Sequence, residues 1–298
     1  MSVLTSADAA PARTPQHDRG GRRPRVRPAS VLRYAVLAVL AALSLAPLVV
    51  FLFNSLKTSA ELGVNPLGPP TTWHWDNFVT AWQTAGMGVG FRNSAVVVLG
   101  TVAGVCVIAG CAAYSMARLN LPGSGAVTAY LLVGSSLPIQ LFLVPLFYLW
   151  TRLHLYDTLL GLIVIYWAVF SPFATLLLRS FMVSIPRDYE EAARLDGASD
   201  LTVLRRIILP LAAPGFLTIA LTTALQAYNE FLLAVTFIQS PEYLPVATGF
   251  FSFQQGFSEN FPLVGAAGLM MVAPMLFTFL LLQRRFVAGI TSGGLSGI

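Results

Sequence analysis

The sequence predicts an all-α membrane protein with about six transmembrane helices and both termini on one side of the membrane. Two observations lead to this prediction. Hydrophobic residues make up 56% of the 298 residues and charged residues only 10%, whereas an ordinary soluble domain has about 25% charged residues. The basic residues also cluster in alternate segments between apolar stretches, as they do in multi-pass membrane proteins.

Six stretches have the length and apolar character of a membrane span. A spanning helix needs about 20 mainly apolar residues, because lipid offers the backbone no hydrogen-bond partner. In the third stretch, Pro138 and Pro145 predict a bend that either turns Gln140 toward a polar interior or is only a packing kink. The predicted spans are 32–53, 94–116, 127–150, 158–179, 214–238 and 262–283.

The distribution of basic residues predicts the orientation. Fifteen of the 18 Lys and Arg residues fall on the side of the N-terminus, and only Lys57, Arg92 and Arg152 fall opposite. Positive residues near span ends resist translocation, so both termini are predicted to lie on the cytoplasmic side. The net charge of +5 is then explained without a nucleic-acid partner.

The N-terminal 30 residues differ in character from the rest of the chain. They contain six arginines, several prolines and glycines, and few large apolar groups, so they cannot bury enough surface to become ordered. We expect residues 1–30 to form a disordered cytoplasmic tail and residues 31–298 to form the membrane domain.

One long cytoplasmic loop, at about 180–213, contains most of the functional signal. Pro186 is followed by acidic residues that favour the first turn of a helix, and Gly197 suits a left-handed helix exit. The loop is therefore predicted to form a short helix, a turn and a second short helix. These features alone also fit a solvated amphipathic connector.

The spacing within this loop is more specific than its composition. Glu191-Ala192-Ala193 is followed after three residues by Gly197, and after nine more by Ile207-x-Leu209-Pro210. This pattern resembles the "EAA" signature of permease subunits in binding-protein-dependent ABC importers, and the chain is most similar to the maltose-type carbohydrate permeases. Further matches are Arg92-Asn93-Ser94, Ala112-Ala113-Tyr114 with Arg118, Thr158 to Gly161, Asn229-Glu230-Phe231 and Gln283 to Gly289, whereas Tyr228 replaces the family's usual Trp.

The resemblance implies a type I ABC importer permease fold and import of a carbohydrate, either an oligosaccharide or a glycoside. It implies as partners a second permease subunit, two ATP-binding subunits, an extracytoplasmic solute-binding protein and membrane lipid. ATP and Mg²⁺ would bind the ATPase, and this chain would hold no cofactor and no catalytic residue. The residues implied to couple to the ATPase are Glu190, Glu191, Ala192, Ala193, Asp196, Gly197, Ile207, Leu209 and Pro210.

The absence of a nucleotide-binding motif agrees with a separate ATPase. A phosphate-binding loop of the form G-x-x-x-x-G-K-[ST] requires a lysine. The single lysine of the chain, Lys57, has no such glycine framework around it. We therefore predict that this chain is a transport subunit and not an enzyme.

Candidate pathway residues lie inside the spans. Glu230 is the only acidic residue well inside a predicted span, where a charge costs at least about 2.5 kcal/mol. It either lines or gates a pathway or pairs with a polar group on a neighbouring helix. The candidate pathway set is Gln140, Tyr228, Asn229 and Glu230. No metal site is predicted, because His17 and His74 lack companions at ligand spacing.

Several alternatives remain open at this stage. Polyamine, phosphonate and peptide importers share the loop signature, so the solute need not be a sugar. An ion-coupled secondary transporter would need more ionisable residues within its spans. An intramembrane enzyme would need a catalytic or metal cluster at a common depth. Gly100, Gly104, Ala109 and Gly110 in the second span also predict close helix contacts, within or between subunits.

Overall fold

The computed structural model describes residues 28–119, 121–257 and 260–294, with side chains described from residue 32 to residue 281 within those ranges. Every regular element in this part of the chain is helical, which confirms the predicted fold class. The chain divides after Val49 into two compact units, a small N-terminal one and a larger one that begins at Val50. The predicted tail lies almost wholly outside the described residues.

Four helices are long and apolar enough to cross a membrane, and two bent helix pairs raise the possible number of spans to six. Each of the four overlaps a predicted span and extends beyond it at one or both ends. They are α1 (Pro28–Ser55), α4 (Met87–Arg118), α7 (Leu159–Ser184) and α14 (Phe261–Gly294).

The predicted third span is not one helix. It is divided into α5 (Ser124–Ser136), a 3-10 turn (Ile139–Phe142) and α6 (Leu143–Arg152), and the two halves meet at 88°. Pro138 lacks an N–H and disfavours helical backbone in the residue before it, and Leu137 is accordingly extended (φ −76°, ψ 131°). The prediction of a bend is therefore confirmed, and the bent pair counts as one of the six possible spans.

The predicted fifth span is also interrupted. Helix α11 (Ala213–Asn229) ends at Glu230, whose backbone is extended (φ −68°, ψ 121°), and the short α12 (Leu232–Phe237) follows. A continuous helix over 214–238 was therefore a wrong prediction. The break follows from Glu230 itself, because its carboxylate accepts hydrogen bonds from the first backbone N–H groups of α12.

The remaining elements are short and lie between the longer helices. Between α1 and α4, Lys57 is fully buried and its Nζ donates to Asn54 Oδ1 at 2.9 Å and to the Asn65 carbonyl at 2.6 Å. The elements are α2 (Ser59–Val64), α3 (Asp76–Thr84), α8 (Asp188–Leu195), α9 (Asp200–Val203), α10 (Leu209–Leu211), a 3-10 turn (Pro241–Tyr243) and α13 (Val246–Gly256).

Helices α4 and α7 form the most extensive helix pair in the described structure, and glycine allows their close approach. A Cβ added at Gly104 would lie 2.0 Å from Nε1 of Trp167, and one at Gly100 would lie 2.8 Å from Cδ1 of Ile163. The Trp167 indole N–H also donates to the Gly100 carbonyl at 2.9 Å. These contacts confirm the predicted close packing of this helix within the chain.

Asp157 joins two of the connections between helices. Its carboxylate accepts hydrogen bonds from the backbone N–H groups of Gln239 and Ser240, at 2.8 and 3.0 Å, and from the Ser240 hydroxyl. Desolvation acts to raise the pKa of Asp157, but the hydrogen bonds from Ser240 and Gln239 outweigh it and lower the pKa below its ordinary value. The start of α7 is thereby fixed to the segment after α12.

Candidate functional site

The loop between α7 and α11 forms a helical hairpin, defined here as residues 188–203. Helix α8 has three acidic residues in its first turn, and Gly197 follows it with φ +81°. The Gly197 N–H donates to the Arg194 carbonyl at 3.0 Å and the Ala198 N–H to the Ala193 carbonyl at 2.9 Å, which closes the helix end. Ser199 then caps α9 by accepting from the Thr202 N–H. The predicted helix, turn and helix are confirmed.

The second half of the motif contains a feature that the sequence did not reveal. Residues Leu204–Ile208 form one π-helical turn before α10, and the Leu209 N–H donates to the Leu204 carbonyl, five residues back. Pro210 has no N–H to continue the α-helical register, and π turns often arise where that register is interrupted. The chain then bends by 67° between Asp200–Leu211 and Ala213–Asn229.

The hairpin has an exposed face and an inner face. Among the predicted coupling residues, Glu191, Ala192, Asp196, Gly197 and Pro210 are exposed. Leu195 beside them is 89% exposed. Three other predicted coupling residues are partly buried, namely Ala193, Ile207 and Leu209. Ala193 and Ile207 pack against the core cluster that includes Val203 and Ile208.

Glu190 belongs to the inner face and not to the exposed one. Its carboxylate Oε1 lies 3.1 Å from Nη1 of Arg118, and the two side chains are only 9% and 2% exposed. Arg118 Nη2 also donates to the carbonyls of Met182 and Ile185. Of the acidic residues predicted to face a basic partner, Glu190 therefore forms its ion pair inside this chain, although its Oε1 makes no hydrogen bond there.

The candidate pathway residue Glu230 has local partners on two sides. Its carboxylate accepts from the backbone N–H groups of Leu233, at 3.0 Å, and Ala234, at 3.1 Å. The Tyr166 hydroxyl on α7 donates to Glu230 Oε2 at 2.9 Å. The structure thus shows Glu230 paired with a polar group on a neighbouring helix, the Tyr166 hydroxyl. A role of Glu230 in lining or gating a pathway stays a prediction.

The other candidate pathway residues are separated by their surroundings. Tyr228 is buried, and its hydroxyl donates to the Met271 carbonyl of α14 at 2.6 Å. Asn229 is exposed and its side-chain amide donates to the Leu225 carbonyl of its own helix. Gln140 is exposed in the 3-10 turn between α5 and α6. Pathway lining by these three residues remains a prediction.

Tyr166 and the buried contacts of Arg118 were not predicted from the sequence. Arg118 appeared only as the residue that ends a family-like segment, and Tyr166 was not singled out. A signal was present for Arg118, since it is the only charged residue in the second half of α4, whose other residues there are apolar or small polar ones. For Tyr166 the sequence carries no comparable signal.

The fold and the hairpin together define a class of protein. Long apolar helices with an exposed helical hairpin between two of them are consistent with a transport permease, and a comparison with known families establishes the class. Residues 106–292 match the family described as "Binding-protein-dependent transport system inner membrane component". The chain belongs to this family, and it is an inner-membrane permease subunit of a binding-protein-dependent importer.

Curated relatives from several bacteria are similar over most of the chain. The sulfoquinovosyl glycerol transport system permease protein SmoH of Agrobacterium fabrum is 34% identical, over 89% of this chain and 94% of the relative. The trehalose transport system permease protein SugB of Mycobacterium tuberculosis is 34% identical, over 90% and 94%. The diacetylchitobiose uptake system permease protein NgcG of Streptomyces coelicolor is 31% identical, over 89% and 88%.

A solved structure shares the fold. One chain of a bacterial ABC transporter involved in the import of the acidic polysaccharide alginate superposes with a TM-score of 0.73 at 21% identity, over 92% of this chain and 100% of that chain. The same kind of transporter in complex with an alginate pentasaccharide-bound periplasmic protein gives a TM-score of 0.61 at 16% identity, over 87% and 96%. The predicted permease fold is thereby confirmed.

Proposed function

We propose that this chain forms half of the path by which an ATP-driven importer carries a carbohydrate, either an oligosaccharide or a glycoside, across the inner membrane. The relatives named for sulfoquinovosyl glycerol, diacetylchitobiose and trehalose support a sugar as cargo. A second, similar permease subunit supplies the other half of the path. An extracytoplasmic solute-binding protein delivers the cargo, and the solute specificity resides chiefly in that protein.

The hairpin at 188–203 is the proposed contact with a separate ATPase subunit, of which the importer has two copies. The observation that carries this proposal is the exposed face of α8, where Glu191, Ala192 and Leu195 project from a helix that is closed by Gly197. Small Ala192 permits close approach of a partner backbone, and Glu191 suits a basic group. ATP and Mg²⁺ bind that partner, and closure of the two ATPase copies moves the helices attached to the hairpin.

The proposed orientation places the hairpin and both termini in the cytoplasm. This orientation follows from the positive-inside rule, by which basic residues are enriched on the cytoplasmic side. Arg118, Arg187 and Arg194 lie on the side of the hairpin, and Arg152 lies on the other side of the membrane. The solute-binding protein then meets the end of the protein that carries the Asp157 connection and α13.

The alternative is an importer of the same architecture for a polyamine, phosphonate or peptide. Both candidates share the hairpin, so variants of the hairpin cannot distinguish them. A panel of labelled solutes can. Uptake of radiolabelled di- to tetrasaccharides by right-side-out vesicles that contain the whole complex, with the solute-binding protein outside and ATP inside, supports a sugar. Uptake of polyamines or peptides alone would contradict it.

Gly197→Val tests the coupling role of the hairpin. A β-branched residue is strained at φ +81°, by about 1–2 kcal/mol, although no atom lies within 4 Å of the new Cβ. We expect sugar uptake to fall roughly tenfold while the protein still inserts in the membrane.

Gly123→Val is the matched control. Gly123 also has φ +81° and open space around it, and it lies in the connection before α5, outside the hairpin. The Gly123→Val substitution should introduce the same backbone strain but leave sugar uptake near the wild-type rate. Normal uptake by Gly197→Val, with assembly of the complex unchanged, would contradict the coupling role.

A further inference from the structure

Three helices meet at one guanidinium group. Arg118 is the last residue of α4, and its Nη1 lies 3.1 Å from Oε1 of Glu190 on α8. Its Nη2 donates to the Met182 and Ile185 carbonyls, the latter at 2.8 Å, at the C-terminal end of α7. The planar fork of arginine serves several acceptors at once, which a single ammonium group does less well.

This junction is buried in an apolar setting. The Arg118 and Glu190 side chains are 2% and 9% exposed. Met182, whose carbonyl accepts from Arg118, and Ala117, the residue before Arg118, belong to a buried apolar cluster. A buried ion pair is weak support for stability by itself, since apolar side chains of similar volume often serve as well or better. Core packing alone therefore does not explain why a charged pair is present at this position.

The inner and outer faces of α8 are divided between two kinds of contact. Residues three or four apart on a helix share a face, and Glu190 and Ala193 both point toward the core, while Glu191, Ala192 and Leu195 are exposed. The exposed face is therefore available to a partner at the same time as Glu190 is held by Arg118. Arg118 therefore links α8 to the ends of both α4 and α7, in addition to the apolar contact of Ala193 with the core cluster.

We propose that Arg118 and Glu190 are positioning residues for coupling, which hold the hairpin at a fixed angle to α4 and α7 so that movement of the ATPase is transmitted to both helices. This proposal rests on the proposed docking of the hairpin on an ATPase. Neither residue contacts ATP or solute. Glu190 thus supports the coupling helix from within, and the contact with the ATPase falls to the exposed residues.

The test uses the whole complex, purified and reconstituted in vesicles, with ATP hydrolysis and uptake of the best-transported labelled oligosaccharide measured together. Glu190→Gln and Arg118→Lys keep size and polarity but weaken the junction. We expect the ATP hydrolysed per sugar imported to rise about tenfold, with the amount of co-purifying ATPase unchanged. Amide hydrogen exchange of α8 should speed up about a hundredfold, because a broken buried pair loosens the hairpin locally.

Two further variants separate positioning from simple stability. Glu191→Gln is the control for Glu190→Gln, and it should reduce ATPase binding without faster exchange in α8. The double variant Arg118→Met/Glu190→Met replaces the pair with apolar groups and should fold stably but remain poorly coupled. Wild-type sugar import per ATP in the double variant, or in both single variants, would overturn the proposal. Failure of the wild-type chain to co-purify any ATPase would instead refute the proposed docking. Amide exchange in α8 of Glu190→Gln that is as slow as in the wild type would refute the positioning role of the pair, independently of the docking.

Discussion

Gly104→Ala is expected to destabilise the protein by about 3 kcal/mol or more, although it adds a single methyl group. The new Cβ would lie 2.0 Å from Nε1 and 2.1 Å from Cε2 of Trp167, a separation that no adjustment of a few tenths of an ångström can relieve. Overpacking a dense core costs about 1–3 kcal/mol and sometimes more. Moving the indole also breaks its hydrogen bond to the Gly100 carbonyl. The measurement is thermal unfolding of the full chain in detergent.

Gly134→Ala is the matched control for this prediction. Gly134 lies within α5, and no atom lies within 4 Å of a Cβ added there. Alanine favours a helix over glycine by about 1 kcal/mol, so this variant should unfold at the wild-type temperature or above. Trp167→Ala should partly rescue Gly104→Ala, because the two residues are in contact and their effects are not additive. Equal stability of Gly104→Ala and Gly134→Ala would contradict the close contact of α4 with α7.

Glu230→Ala is expected to have the second large effect, a loss of about 3 kcal/mol. The substitution leaves the first N–H groups of α12 and the Tyr166 hydroxyl without their carboxylate. Hydrogen bonds to a charged group are worth about 1.5–3 kcal/mol each, and unsatisfied donors in a partly buried site add to the loss. The quantity to measure is again the unfolding temperature in detergent.

Glu230→Gln and Tyr166→Phe distinguish this role from solute contact. Glutamine retains an oxygen acceptor, so Glu230→Gln should be destabilised less than Glu230→Ala, and Tyr166→Phe, which loses one of the bonds, should fall between wild type and Glu230→Ala. If Glu230 acts only on solute, Glu230→Ala will alter uptake while its unfolding temperature stays at the wild-type value. That result would refute the capping role.

Hydropathy and charge predicted the long helices well, because the length of an apolar run is set by the bilayer itself. Local turn chemistry was equally informative in the hairpin, where Gly197 is in the left-handed conformation that was expected of it. Pro138 marked the place of the bend in the third span. The 88° angle of that bend could not be read from the prolines alone, and α5 also packs against α7, a contact that a single stretch of sequence does not encode.

The features that were missed depend on contacts distant in sequence. The segment around Glu230 contains no Pro or Gly, and the carboxylate that caps α12 at the break also accepts from Tyr166, 64 residues away in the chain. Glu190 and Glu191 are alike in sequence, but adjacent helix residues differ by about 100° in direction. Only the docking of α8 on Arg118 determines which of the two faces the core.

The most direct test of coupling through the hairpin is photo-crosslinking from the exposed face of α8. A benzophenone amino acid is placed at Ala192, and the complex is irradiated in membranes with and without ATP. Docking of the hairpin predicts a crosslink to the ATP-binding subunit that changes in yield with nucleotide, and none from Leu153, which follows α6 and is also exposed. Failure to capture an ATP-binding subunit from Ala192, in vesicles that still accumulate sugar, would contradict it.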